Sequence, residues 1–345
     1  MLTILKNILK NQQIKRLKSN FSTTGFTMIE LLVSTIVAFL IITPLLFFVV
    51  NILETDTEEQ WKTITEQELQ SAVSFIADDL KQAVYIYGRS AVNDIGNQIS
   101  NQISNTGTST AVLVFWRQQL IENIVPVNTQ NANVQTNHCD SNPCDSAQVY
   151  SIVAYYLITG NTGSSPWSNA ARIGRIEIRD GVRNPANYYD YLDENGDKMA
   201  KAKRDSGFRM FDGMNPNVAG TFEQKMETWT PDGEITKNVE VLVDYIDHTS
   251  ATKYVVATPE TDAVPNDAFC ISSLNSNNAQ LVGNPTTNRG FYACVDSSKS
   301  LAQLFIAGNG LARTYDEAEY DQKQADLFPT VNITVKGRGI LSGML

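Results

Sequence analysis

The chain has 345 residues, 27 basic and 37 acidic, for a net charge of −10, with 42% hydrophobic and 19% charged residues. That acidic balance excludes the basic footprint of a nucleic-acid-binding protein; it speaks mainly to solubility and mutual repulsion. With two histidines and no HExxH, P-loop or G-x-S-x-G motif, nothing in the sequence assembles a catalytic constellation, and no cofactor is expected.

In chain order, the first 25 residues carry Lys6, Lys10, Lys15, Arg16 and Lys18 and no Asp or Glu. From Phe26 to Leu53 the chain is overwhelmingly apolar, broken only by the mild Thr27, Ser34, Thr35, Thr43 and Asn51 and by one carboxylate, Glu30. A helix of about 20 such residues crosses the roughly 30 Å hydrocarbon core of a bilayer. The leader cations favour a cytoplasmic N-terminus, and Glu54, Asp56, Glu58 and Glu59 on the far side do not oppose it. A secretory signal peptide needs a shorter apolar core and a small-residue cleavage site after it. A plain anchor explains length and orientation but not Glu30, since a carboxylate within a membrane helix costs about 2.5–3.5 kcal/mol. Pro44 lacks an N–H and crowds the Leu40 carbonyl, which predicts a kink.

The stretch Gly25-Phe26-Thr27-Met28-Ile29-Glu30 before that run resembles the class III signal of type IV pilins and type II secretion pseudopilins. The resemblance implies that a prepilin peptidase cuts after Gly25 on the cytoplasmic face, leaving Phe26 as an N-methylated terminus. It implies that Glu30 pairs in the filament with the amine of a neighbouring subunit's Phe26. Two charges that are each costly in an apolar bundle become tolerable as a pair, and removing either strands the other. The implied partners are the peptidase, other pilins or pseudopilins, and an inner-membrane assembly platform. The implied location is a single inner-membrane pass with a periplasmic head, then a filament. Loss of the leader leaves 22 basic against 37 acidic residues, a net charge of −15.

Past the membrane segment, Ile64, Leu69, Val73, Ile76, Leu80, Val84 and Tyr87 recur at helical spacing, with Glu66, Glu68, Asp78, Asp79 and Lys81 between them. This predicts an amphipathic helix over 54–87 that continues the membrane helix and stops at Gly88. Residues 88–110 read as a polar loop containing the tandem Asn97–Ser100 and Asn101–Ser104. Strands are expected at Ala111–Trp116, Gln148–Ile158, Arg172–Arg179, Val239–Ile246 and Val331–Lys336, with a weaker one at Lys253–Val256. The alternation in Arg172–Arg179 predicts a half-exposed antiparallel strand. Loops rich in Asn, Ser, Gly and Pro fill 128–147, 180–236 and 258–290.

A helix followed by strands predicts an α+β fold: leader 1–25, membrane or filament-core helix 26–53, amphipathic helix 54–87, and a β-rich head over 88–345. About 290 residues beyond the membrane suffice for one sizeable domain or two small ones. Ile42-Thr43-Pro44-Leu45-Leu46, Thr65-Glu66-Gln67-Glu68, Ala83-Val84-Tyr85-Ile86-Tyr87 and Val112–Trp116 resemble the hormogonium-polysaccharide-secretion pseudopilins of cyanobacteria. That resemblance implies a structural, non-enzymatic subunit of a polysaccharide-export machine serving gliding motility, with exported polysaccharide as a further partner. The alternatives are a sugar-binding or adhesive minor pilin and a membrane-tethered enzyme.

Cys139, Cys144, Cys270 and Cys294 all lie in the exported portion, where an even count points to two disulfides. Of the three connectivities, proximity favours Cys139–Cys144 and Cys270–Cys294; a metal site is the alternative, though C-x4-C alone is poor zinc spacing. Asp193, Asn195 and Asp197 alternate around a Gly turn in a way that suits calcium. The twelfth position of an EF-hand loop begun at Asp193 is Arg204, so a solvated Asn-Gly turn is the better reading. Tyr188, Tyr189 and Tyr191, with Trp116, Trp167 and Trp229, offer rings for stacking on sugars, although such rings more often fill cores.

Overall fold

The computed structural model describes residues 25–100, 107–126, 139, 144–160, 166–185, 187–195, 197, 199–213, 215–251, 253–254 and 264–339. The leader cations, His138 and the second tandem copy at 101–104 lie outside them. The chain divides at Thr55 into an N-terminal unit and a head that begins at Asp56. Helix α1, Met28–Lys81, belongs to both.

In its N-terminal part every residue of α1 is exposed, the apolar ones included. The polar residues there satisfy themselves: Ser34 Oγ donates to the Glu30 carbonyl at 2.6 Å, Thr35 Oγ1 to that of Leu32 at 2.8 Å, and Thr43 Oγ1 to that of Phe39 at 2.8 Å. Hydroxyls bonded to their own helix carry little polarity outward, which suits an apolar solvent. Pro44 sits inside the uninterrupted helix. Within the head, α1 buries Thr65, Leu69, Ala72, Val73, Ile76, Ala77, Asp79 and Leu80. Leu69, Val73, Ile76 and Leu80 carry the stripe expected from the sequence; Asp79 does not, and its burial has a specific cause given below.

The helix ends at Lys81, short of the expected Tyr87, and Ala83–Ile86 forms strand β1 with all four residues buried. A continuous apolar run has neither a helical nor a strand period, so spacing alone could not choose. Pairing chose: β1 runs antiparallel to β2 (Thr108–Pro126), with Ile86 opposite Phe115. The expected polar loop after Gly88 is instead largely helix α2, Arg89–Ser100. Its Ala91, Val92, Ile95 and Ile99 are buried as one face against the sheet.

Five strands form the main antiparallel sheet in the order β1-β2-β3-β4-β7, where β3 is Cys144–Thr159, β4 Ala171–Arg179 and β7 Glu240–Ile246. The ladder β5 (Arg183–Asn184) and β6 (Asn187–Tyr191) and the helix α3 (Phe222–Glu227) occupy part of what read as loop. A second antiparallel sheet has the order β11-β10-β9-β8, with β8 Gln280–Val282, β9 Phe291–Asp296, β10 Leu301–Ala307 and β11 Thr330–Lys336. Of these only β11 was anticipated. Lys253 and Tyr254, expected as strand, are helical; the rest of that segment lies outside the described residues. Helix α4, Asp267–Leu274, opens with the Asn266 side chain accepting from the Phe269 N–H at 3.0 Å, which satisfies a helix-end donor.

The architecture is therefore α+β and pilin-like in its order of elements: a long apolar N-terminal helix whose later half packs on an antiparallel sheet. Phe115, Tyr155, Arg175 and Glu177 lie on the face that meets α1, whereas Trp116 and Tyr156 lie on the other. Strand β4 is buried almost throughout rather than half-exposed. Its polar residues alternate as a solvent face should, but helix α1 lies over that face. Gly308 allows close approach at the helix's edge, since a Cβ there would stand 2.5 Å from Thr65 Cγ2.

Candidate functional site

Helix α1 starts at Met28, and Thr27 caps it: the Glu30 N–H donates to Thr27 Oγ1 at 3.3 Å and the Leu31 N–H to the Thr27 carbonyl at 3.2 Å. Glu30 therefore occupies the third helical position, where a carboxylate is favoured by the exposed N–H groups of the first turn. Its side chain is exposed, as is Phe26 at 74%. Nothing lies within 4 Å of where a Cβ on Gly25 would stand. Gly25, Phe26 and Glu30 thus sit together at the open end of a helix long and apolar enough to cross a membrane.

In the head, the densest polar cluster lies between α1 and the sheet. Asp79 Oδ2 accepts from Arg175 Nε at 2.8 Å and from the Tyr155 hydroxyl at 2.7 Å, and Oδ1 accepts from Arg117 Nη1. Glu177 accepts from Arg117 Nη2 at 2.9 Å and from Arg175 Nη2 at 2.8 Å. Burial pushes the Glu177 carboxyl up, but the Arg175 and Arg117 guanidiniums outweigh it and hold the group below its usual range. Burial alone would lower Arg175; Glu177, Tyr155 and Asp79 carry it above its usual value. Each of the two guanidiniums bridges both carboxylates, and the four charge-assisted bonds form a clamp. Asp79, which reads as a solvent-facing residue in the sequence, is the helix's half of it.

Both disulfides expected by proximity are present, Cys139–Cys144 and Cys270–Cys294. The second joins α4 to β9, and both of its cysteines are buried. Asp193 does not gather a calcium cradle: its Oδ2 accepts from the Met199 N–H at 2.5 Å and closes the loop, while Asn195 and Asp197 are exposed. Among the described residues no group of three or more His, Cys, Asp or Glu could hold a metal.

The aromatic residues divide. Trp116 and Trp229 are core, with ring centroids 6.2 Å apart, and their indole N–H groups donate to the Tyr87 hydroxyl and the Arg209 carbonyl. Neither is available to a sugar. Tyr188 and Tyr189 on β6 are exposed, and Trp167 is partly so. The Tyr191 ring lies 4.1 Å from the Arg183 Cζ, and its hydroxyl donates to Asp180. Burial and the Asp180 charge push that hydroxyl up to about 12.

A second aromatic group was not anticipated. A cavity of about 500 Å³ opens beside the second sheet, walled by Tyr254, Phe269, Tyr292, Phe305, Tyr320 and Phe328. Its signal was partly in the sequence, because Phe291–Val295 and Leu301–Ala307 are runs of apolar and β-forming residues. Tyr254 and Tyr320 arrive from distant segments and carry no local pattern.

No protein family, no curated protein and no solved structure matches the chain.

Proposed function

We propose that this chain is a minor pilin or pseudopilin, a structural subunit of a pilus-like machine that spans the envelope. The observation that carries the reading is Glu30, the lone carboxylate of an apolar segment in which every residue is exposed. A bilayer covers such a surface but leaves the carboxylate costly, whereas a bundle of like helices covers it and can supply a cation. The amine freed by cutting after Gly25 is such a cation, and Phe26 lies one helical turn before Glu30. In this reading prepilin peptidase processes the chain, Phe26 is N-methylated, and Glu30 sets register against neighbouring subunits on the assembly platform. The head lies outside the inner membrane, where both disulfides persist. On the sequence resemblance to the hormogonium-polysaccharide-secretion pseudopilins, the machine exports polysaccharide for gliding.

The test is the N-terminal mass of the protein from its own cells beside a Gly25→Ala variant. A start at methylated Phe26, with the variant left uncut, is the expected result. An intact Met1 start in both proteins would reduce the helix to a membrane tether and end the pilin reading.

A further inference from the structure

The two larger sheets end on strands β1, β7, β8 and β11, and three of these edges are protected. At β8 the Leu281 carbonyl accepts from Arg89 Nε at 2.6 Å. At β1 the Ala83 carbonyl accepts from the Gly339 N–H at 3.3 Å. Strand β7 pairs with shifts of register, and near its end the Tyr245 carbonyl accepts from the Asn309 N–H at 2.7 Å. Strand β11 has none of these devices. Its seven residues pair with β10 without a shift, and Lys336 at its end is its only charge. An edge left this way is a template for another strand.

The phase of the β10–β11 ladder is fixed at both ends. The Gly337 N–H donates to the Ser300 carbonyl at 2.8 Å, and the Gly308 N–H to that of Pro329 at 2.9 Å. Val331, Ile333 and Val335 therefore bond to β10, and the N–H and C=O of Thr330, Asn332, Thr334 and Lys336 point outward. None of these outward groups has a hydrogen-bond partner among the described residues. Helix α1 passes beneath the inner face of this sheet, from Thr65 beside Gly308 to Leu80, whose carbonyl oxygen lies 3.3 Å from where a Cβ on Gly337 would stand. Between the flank of α1 and β11 runs an open groove of about 510 Å³, lined by Glu66, Gln67, Gln70 and Val331. Glu66 at one end of this edge and Lys336 at the other are exposed, and neither forms an ion pair among the described residues.

We propose that the β11 edge takes up an extended segment of another protein as an added antiparallel strand. The outward N–H and C=O groups alternate at strand spacing, and a second backbone is the chemistry that matches them. Charge defines the segment further. An acid at its start lies opposite Lys336, a base near its end lies over Glu66, and alternate side chains between them face α1. A second copy of β11 does not fit. Helix α1 runs beneath β11 in the strand's own direction, so antiparallel pairing of two copies would run their helices oppositely. Two chains anchored in one membrane cannot do that. The groove itself is built wholly within the head and does not depend on processing at Gly25.

The test is a fluorescence-anisotropy titration of the full-length protein in detergent with the labelled, end-capped peptide Glu-Val-Thr-Val-Thr-Lys-Thr. With its Glu opposite Lys336, the third and fifth residues bond to β11, and the second, fourth and sixth face α1. Saturable binding is expected. N-methylation of the third and fifth amides should weaken it at least tenfold, whereas N-methylation of the second and fourth should be tolerated. Protein carrying both Glu66→Lys and Lys336→Glu should prefer the peptide with Glu and Lys exchanged. Asn332→Pro should lose binding yet keep the melting temperature, since the N–H it removes bonds to nothing within the sheet. Gly25→Ala protein should bind as the wild type does, so failed processing and failed docking are read separately. Absence of saturable binding, equal binding of the two methylated peptides, or a preference that the double charge exchange does not reverse would each overturn the proposal. So would sedimentation as a dimer that Asn332→Pro dissociates, which would assign the edge to a second copy.

Discussion

Arg175 Nε donates to Asp79 Oδ2 at 2.8 Å across the junction of helix α1 and strand β4, with both side chains almost wholly buried. The bond joins residues 96 apart in the chain. It also fixes the rotation of α1 on the sheet, since turning the helix would strand charge in a low-dielectric interior. Asp79→Ala leaves Arg175 and Arg117 short of a counter-charge and is expected to destabilise the head by about 3–5 kcal/mol. Urea unfolding checks this, and a loss below about 1 kcal/mol would make the clamp incidental.

Two buried carboxyls should give opposite pH dependence. Glu177 is held below its usual range, so its contribution is present above the unfolded pKa, about 4, and is lost as pH falls through the lower folded value. Asp247 is held above its usual range by burial. Its contribution is present below about pH 4 and declines as pH rises through the higher folded value. Melting curves should therefore show Glu177→Gln narrowing the loss of stability in acid. Asp247→Asn should gain on the wild type as pH is raised toward neutral, and a constant difference across pH would contradict the assignment.

The disulfides should differ in weight. Cys270–Cys294 closes a separation of 24 residues and Cys139–Cys144 one of 5. On loop-closure entropy, replacing the first pair by serine costs roughly 3 kcal/mol and the second less. Melting temperatures of the two double variants check the order.

Glu30→Gln keeps side-chain length and the ability to lie near the helix's first turn while removing the charge. The expected outcome is normal membrane insertion and normal cleavage after Gly25, with loss of filament incorporation and of export. Fractionation with N-terminal mass measurement, beside an export assay, separates these steps. Export at the native level would show that Glu30 serves only its own helix's first turn.

The sequence made the membrane-length segment, the isolated Glu30, the amphipathic continuation of α1 and five of the strands legible, because each is a pattern of neighbours along the chain. The stop at Lys81 was hidden, since Ala83–Ile86 is apolar at every position and only its pairing with β2 makes it a strand. Helix α2 was hidden by its amides, whose polarity masked the buried stripe of Ala91, Val92, Ile95 and Ile99.

By itself the sequence determined that this chain carries a basic N-terminal segment, an apolar helix with one acid, and enough β-forming runs for an α+β head. Those properties follow from local hydrophobicity and charge, which the chain carries whatever its fold. Only the tertiary structure decided that Asp79 faces inward, that Trp116 and Trp229 are core, and that Tyr254, Tyr292, Phe305 and Tyr320 wall one cavity. Each depends on which surfaces meet, and burial changes the energetic meaning of a charge or a ring without changing its place in the sequence.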